Sequence, residues 1–179
     1  ALLDLYVAYF NRVPDADGLD YWITRLKDGM AIRQISEAFF YAAAEKSEQT
    51  GYTLNLSDTD LINKIYTNAL GRKEGADLDG LNYWLKDLSN GTQTRGSMVL
   101  AIVTGAHAEK GSATWGWVAD LLDNKISVAT KFAVDWGLNF ATAEESITNT
   151  MKIAQLVTAT DTSAAISLIG IAEGQILFI

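Results

Sequence analysis

Two short stretches of the chain place a pair of aspartates beside a glycine, and paired carboxylates are the groups that hold calcium. The pairs are Asp15 with Asp17, and Asp77 with Asp79. Alternating carboxylates in one turn can converge on a single Ca²⁺ ion. An EF-hand loop needs a glutamate at its twelfth position, whereas the twelfth position counted from Asp15 is the apolar Leu26. The sequence therefore favours a structural role for these aspartates and leaves calcium binding as the alternative.

The structural role that the pattern predicts is helix capping. Asp17 and Asp79 each stand directly before a Gly and an apolar stripe, so we expect them to act as N-caps that accept hydrogen bonds from first-turn N–H groups. Arg12 and Arg72 precede the two stretches. They are candidates for recognising an acidic group or a sugar, or for clasping the loop's own carboxylates and carbonyls. The clasp is favoured because arginine and aspartates recur together.

Aromatic side chains supply the other candidates for ligand binding. Trp22 and Trp84 lie on apolar stripes and are expected in the core. Trp115 and Trp117 are two residues apart, which on a helix separates them by about 200°. At least one of them is therefore expected to be exposed, where it can contact a sugar or a partner protein, or to pack against the first half of the chain.

These residues belong to a duplicated helical pattern. The pattern Asp-x-Asp-Gly-Leu-x-Tyr-Trp occupies residues 15–22 and returns at residues 77–84, each copy flanked by apolar residues at helical spacing. The sequence predicts an all-α fold of eight or nine short helices. A duplicated three-helix unit fills residues 1–110, with copies at about 1–52 and 57–108, and C-terminal helices at 111–179 pack on the same domain. The apolar end at residues 176–179 is expected to continue into further chain or to pack on the core.

Composition excludes several classes of function. The net charge of −8 disfavours nucleic acid and anionic membranes as partners. No apolar run is long enough to span a membrane. There is no Cys and a single histidine, His107, which we expect to face solvent or cap a helix end. These counts exclude thiolate and multi-histidine metal sites. No catalytic motif is present, so the sequence predicts a protein that is not an enzyme and that needs no cofactor, calcium excepted.

Residues 5–7 and 11–22, and residues 70–72 and 77–84, resemble the family known as domain of unknown function 4214. The resemblance covers residues 3–105 most closely. It implies a module of large exported bacterial proteins, such as S-layer proteins, calcium-associated RTX-type proteins and adhesins, and it implies no catalytic residues. The pattern is also similar to phycobilisome linker domains, which are scaffolding modules.

The expected function is therefore that of a non-catalytic extracellular module, located at the bacterial cell surface. It would anchor or assemble an S-layer-like or adhesin-like protein by binding surface polysaccharide or neighbouring subunits, including copies of itself. The alternative is a protein–protein scaffold. Because the repeated motif itself serves mainly to start helices, we expect the binding surface to lie elsewhere.

Overall fold

Ten α-helices and one π-helical turn make up the regular structure of residues 1–170, the part of the chain that the computed structural model describes. Nine of the ten α-helices have seven residues or more, and these residues contain no β-strand. The prediction of an all-α fold is confirmed. The apolar residues 176–179 lie outside the described range.

The helices follow the chain in this order: α1 Leu2–Phe10, α2 Ala16–Lys27, α3 Ile32–Glu45, α4 Ser47–Thr50, α5 Asp58–Asn68, α6 Leu78–Ser89, α7 Arg95–Ala108, α8 Gly116–Thr130, α9 Ala143–Gln155 and α10 Ser163–Ile169. The π-helical turn Lys131–Asp135 continues α8.

The first three helices correspond in order to α5, α6 and α7, and we call α1–α3 the first unit and α5–α7 the second unit. The second helices of the two units each have 12 residues, and the third helices each have 14. The third helices, α3 and α7, pack against each other along their length. Helix α1 lies between α3, α7 and α8, which is why Leu5, Val7 and Ala8 are fully buried.

The two units approach each other closely where Gly96 of α7 meets α3. A Cβ atom on Gly96 would lie 2.8 Å from the Cα atom of Glu37, so only glycine fits there without movement of the backbone. The Gly96 carbonyl accepts hydrogen bonds from the hydroxyl of Tyr9, at 2.7 Å, and from that of Ser36, at 2.8 Å. Two hydroxyls of the first unit therefore fix the position of the second unit in a buried setting.

The helices after residue 110 pack on both units. Helix α8 contacts α1 and α7, the π-helical turn contacts α2, and α9 contacts α8 and α10. Gly137 has a φ of 58° and follows the π-helical turn. Thr142 caps α9, since its hydroxyl accepts a hydrogen bond from the Glu145 N–H.

The predicted caps of α2 and α6 were wrong. Asp15 and Asp77 occupy the N-cap positions, so Asp17 and Asp79 lie inside the first helical turn. The Asp77 carboxylate accepts a hydrogen bond of 2.8 Å from the Gly80 N–H. The N-cap of α6 therefore lies two residues earlier in the chain than expected. In the first turn, Asp17 and Asp79 still carry negative charge at the positive end of the helix dipole.

Candidate functional site

The first helix of each unit ends in a sharp backbone turn, which we call its corner, and an arginine follows directly. Asn11 and Gly71 hold equivalent positions and both adopt left-handed backbone conformations, with φ of 45° and 69°. Asparagine and glycine are the residues that tolerate this conformation best. The next residues are Arg12 and Arg72, so the same backbone turn aims both guanidinium groups back at the unit's own first helix.

In the second unit, the motif residues converge on the hydroxyl of Tyr66. The indole N–H of Trp84 donates to this hydroxyl at 3.1 Å. A Cβ on Gly80 would lie 2.9 Å from the same oxygen, which explains the glycine of the motif. The Arg72 guanidinium lies 5.0 Å from the centre of the Tyr66 ring. The repeated pattern therefore joins its two helices through a tyrosine that precedes the arginine by six residues.

The first unit repeats this arrangement with Tyr6. A Cβ on Gly18 would lie 3.1 Å from the Tyr6 hydroxyl, and the Arg12 guanidinium lies 5.6 Å from the ring centre. Burial raises the pKa of Tyr6 to about 12, and burial also raises the pKa of Tyr66. Both hydroxyls consequently stay protonated at neutral pH and serve as structural groups.

A pocket opens beside each of these tyrosines, and the two pockets are built from equivalent positions. The first pocket has a volume of about 260 Å³ and the second about 240 Å³. The matched lining pairs are Tyr6 and Tyr66, Phe10 and Leu70, Arg12 and Arg72, Trp22 and Trp84, Phe39 and Ile102, and Ala42 and Gly105. The motif thus lines a cavity in each unit, in addition to its expected main role of starting helices.

In the second pocket, other side chains of the protein contact the arginine. The Arg72 guanidinium stacks 3.7 Å from the centre of the Trp115 ring and forms an ion pair of 3.1 Å with Asp77. Only 12% of the Arg72 side chain is exposed. The predicted clasp between arginine and the loop's own carboxylate is therefore present in this unit.

The first pocket leaves its arginine without such partners. The Arg12 guanidinium lies against the Tyr6 and Phe10 rings, but it makes no ion pair with Asp15, the counterpart of Asp77. Asp15 instead accepts a hydrogen bond from Ser146 of α9. The Arg12 Nε and the Asp15 Oδ1 are both buried, and neither has a hydrogen-bond partner among residues 1–170. The clasp predicted for Arg12 is absent.

Helix α9 supplies the far wall of the first pocket through Ile147 and Met151. The rim carries Glu45 and Lys46, so the lining combines aromatic faces with one acidic and two basic side chains, the second base being Arg12. Such a mixture of apolar walls and a few charged groups is typical of small-ligand sites.

The four candidate binding residues separate into two groups. Arg12 and Arg72 lie in the two pockets, and Trp115 covers the second one. Trp117 lies outside both pockets, with 40% of its surface exposed and its ring near Gly71.

Sequence reasoning missed the tyrosines that organise the pockets. The signal that identifies them is the constant spacing between tyrosine and arginine, since Tyr6 precedes Arg12 as Tyr66 precedes Arg72.

Three of the four aspartates considered for calcium bind protein groups, and the fourth, Asp79, is exposed. Asp17 exchanges two hydrogen bonds with Asn139, at 3.0 and 3.1 Å, while Asp15 and Asp77 have the partners given above. Within residues 1–170, no group of three or more acidic or histidine side chains is arranged to hold a metal ion.

The single histidine was expected to face solvent or to cap a helix end, but it contacts two aspartates instead. His107 of α7 contacts Asp4 of α1 at 2.8 Å and Asp123 of α8 at 3.1 Å. It therefore links both units to the C-terminal helices.

Comparison with known proteins supports the family resemblance over part of the chain. Residues 38–110 match the model of a family described as Domain of unknown function (DUF4214). This range runs from the middle of α3 to just beyond α7 and includes the second pocket's arginine and tryptophan. No curated protein and no solved structure matched the chain. In the described range, no helix has the length and apolar character needed to cross a lipid bilayer.

Proposed function

We propose that this chain is a non-catalytic binding module of an exported bacterial surface protein, and that it holds surface polysaccharide in its first pocket. Its role would be to anchor or assemble an S-layer-like or adhesin-like protein. The observation that carries the proposal is the open pocket of Arg12, walled by aromatic rings and built on a rigid helical frame.

The size and walls of the pocket suit one residue of a polymer. Its volume of about 260 Å³ lies just below the range of about 300–1,000 Å³ that is usual for drug-sized ligands. Phe10, Trp22 and Phe39 present ring surface, on which the apolar face of a sugar can pack. A polymer that inserts one residue and continues into solvent fits these dimensions.

The charged groups of the pocket favour binding over catalysis. Most glycoside hydrolases use two carboxyl groups that flank the bond to be cleaved. Among the residues that line the first pocket, Glu45 is the one carboxylate, and it lies at the exposed rim.

Binding to isolated polysaccharide tests the proposal. Purified chain is titrated with surface polysaccharides and with a panel of neutral and acidic oligosaccharides, with and without Ca²⁺, by calorimetry. We expect saturable binding by the wild-type chain. Absence of binding to every glycan, in both conditions, would overturn the proposal.

Filling the pockets provides a matched pair of variants. Ala42→Leu narrows the first pocket and is expected to weaken binding by about 5- to 150-fold, since a misfit of this size costs about 1–3 kcal/mol. Gly105→Leu narrows the second pocket, where nothing lies within 4 Å of a Cβ at that position. Binding should survive Gly105→Leu. Equal loss in both variants would contradict the assignment to the first pocket.

The surface location is supported by the resemblance to exported proteins and needs its own test. Antibodies against this chain should label intact cells that produce the parent protein. Labelling only after permeabilisation would contradict the location and leave the binding proposal standing.

The second candidate function is a protein–protein scaffold, and one observation favours it. Tyr21 and Tyr83 occupy the same motif position in the two units, and 52% and 59% of their surfaces are exposed. Exposed tyrosines are common anchors in protein interfaces. Self-association measured by sedimentation, insensitive to added glycans and abolished by Tyr21→Ser with Tyr83→Ser, would favour this function.

A further inference from the structure

We propose that the sugar residue held by the first pocket is an acidic one, and that its carboxylate pairs with the guanidinium of Arg12. This inference rests on the proposed function and names its ligand class.

The hydrogen-bonding state of Arg12 is the first argument. No residue in the described range accepts a hydrogen bond from its guanidinium, and its Nε is buried. Buried donors in folded proteins nearly always have partners. The planar guanidinium fork matches a carboxylate through two parallel hydrogen bonds. An acidic ligand would therefore satisfy donors that the protein leaves unsatisfied.

The second unit shows which partners a guanidinium takes at this position. Arg72 has a carboxylate, that of Asp77, and a flat ring, that of Trp115. In the first unit the matching aspartate is held by Ser146, and in the described range no tryptophan stacks on the arginine. A uronic acid residue supplies the missing carboxylate, and its apolar face can pack on the aromatic rings that line the pocket.

The local charge is the third argument. The chain as a whole carries a net charge of −8. The first pocket departs from this balance, because Arg12 and Lys46 face a single acidic lining residue, Glu45. An anionic ligand is thus attracted to this pocket, whereas the surrounding acidic surface repels it, and the contrast confines binding to one place.

The decisive measurement compares an acidic oligosaccharide with its neutral ester. Calorimetric titration of the full chain uses trigalacturonate and its methyl ester, in which a methyl group replaces the negative charge at each carboxyl group. We expect the acid to bind at least about tenfold more tightly than the ester. Arg12→Gln should lower the affinity for the acid by about 10- to 100-fold and leave the affinity for the ester unchanged.

A direct readout comes from the side-chain Nε–H resonance of Arg12, identified by its loss in Arg12→Lys. Trigalacturonate should shift this resonance as it binds. Ile147→Glu offers a second variant that keeps the arginine. Because it places a carboxylate at the pocket wall beside Arg12, it should compete with the acidic ligand and weaken its binding.

Arg72→Gln is the matched control and should leave the affinity for trigalacturonate unchanged. Thermal unfolding of each variant verifies that it folds. Equal affinity for acid and ester, or acid binding that survives both Arg12→Gln and Ile147→Glu, overturns the inference while the proposed function stands. Preference for a carboxylate-bearing peptide over every sugar overturns the inference as well. Failure of all glycans to bind overturns the proposed function itself.

Discussion

The first and second pockets share one frame and differ in what covers it. In both, a tyrosine, an arginine and a tryptophan take equivalent places. The covering residues come from the part of the chain that is not repeated: Trp115 at the start of α8 over the second pocket, and Ile147 and Met151 of α9 beside the first. The duplicated helices therefore fix the geometry of a site, and the helices added after them decide whether its arginine is free.

The corners before the two arginines also occupy equivalent positions and differ in their contacts with the helices that follow the repeat. Asn11 accepts a hydrogen bond of 3.1 Å from the buried ammonium of Lys125, on α8. The equivalent Gly71 packs under Leu121 of the same helix, whose Cδ2 would lie 2.9 Å from an added Cβ. One helix thus contacts the first corner through a polar group and the second through an apolar one.

The largest expected effect comes from adding a side chain at the second corner. Gly71→Ala places a Cβ in a left-handed conformation and against Leu121, so we expect a loss of about 2–4 kcal/mol in the free energy of unfolding. Urea unfolding measures it. Asn11→Gly keeps the first corner's backbone and removes only the acceptor for Lys125, with an expected loss of about 1 kcal/mol. A smaller loss for Gly71→Ala than for Asn11→Gly would contradict the apolar contact.

The polar contact at the first corner predicts a rise of stability at alkaline pH. Burial lowers the pKa of Lys125 from 10.5 to about 8. Between these values the unfolded chain keeps a proton that the folded chain has released, so the free energy of unfolding rises by about 1 kcal/mol per pH unit. Below pH 8 the group is protonated in both states and contributes no slope.

Lys125→Met should abolish that rise. Unfolding of the wild type and the variant is compared from pH 7.5 to 9.5, below the range in which the unfolded chain's tyrosines ionise. Burial raises the pKa of Tyr6 to about 12, so such tyrosines lower the stability only as the pH passes about 10. Parallel pH profiles for the two proteins would show that Lys125 is not responsible.

The two arginines should differ in what they contribute to stability. Arg72→Met removes an ion pair and the stacking on Trp115, for an expected loss of about 1–2 kcal/mol. Arg12→Met removes a guanidinium that has no hydrogen-bond partner among residues 1–170 and lies 5.6 and 5.4 Å from the Tyr6 and Phe10 ring centres, so its effect should stay below about 1 kcal/mol. Thermal and urea unfolding of the pair gives the comparison. Equal losses would mean that Arg12 is held as firmly as Arg72.

The smallest expected effect lies in acid. The hydrogen bond from the Gly80 N–H, together with Arg72, lowers the pKa of Asp77 from its ordinary value of 3.8. The stability that this carboxylate contributes is present above pH 3.8 and is lost as the pH falls through the lowered pKa. Asp77→Asn should therefore be less stable than the wild type at pH 7, by less than about 1 kcal/mol, and the difference should shrink towards pH 2.5. A constant difference across this range would contradict the ionic contribution.

Local patterns in the sequence were sufficient for the helices and for several of their ends. Ser57, Thr142 and Gly137 act at the positions where their residue types predict a cap or a stop. Asp17 and Asp79 failed as caps because each helix has a second aspartate two residues earlier, and the pattern alone does not say which of the two begins the helix.

Local sequence patterns were not sufficient to predict the two pockets. Trp22 was expected in the core, yet it packs on the core with one side and lines the first pocket with the other. The opposite wall comes from Met151, more than a hundred residues further along the chain. Periodicity predicts the face that a helix buries, but a cavity depends on how closely two faces meet, which is set by side-chain shapes in tertiary packing.

The contact at Gly96 has a consequence for molecules that meet in solution. Duplicated units can exchange between chains, because one unit offers its partner's surface to a second copy of the protein. In this protein, the pairing of α3 with a second α3, or of α7 with a second α7, is excluded. The α3 counterpart of Gly96 is Arg33, whose side chain would meet the Glu37 backbone, since a Cβ at the position of Gly96 already lies 2.8 Å from the Glu37 Cα. The α7 counterpart of Ser36 is Val99, which has no hydroxyl to donate. The third helices therefore fit each other as α3 with α7, so two copies of the protein can join through these helices only by exchanging units, with α3 of one chain against α7 of the other.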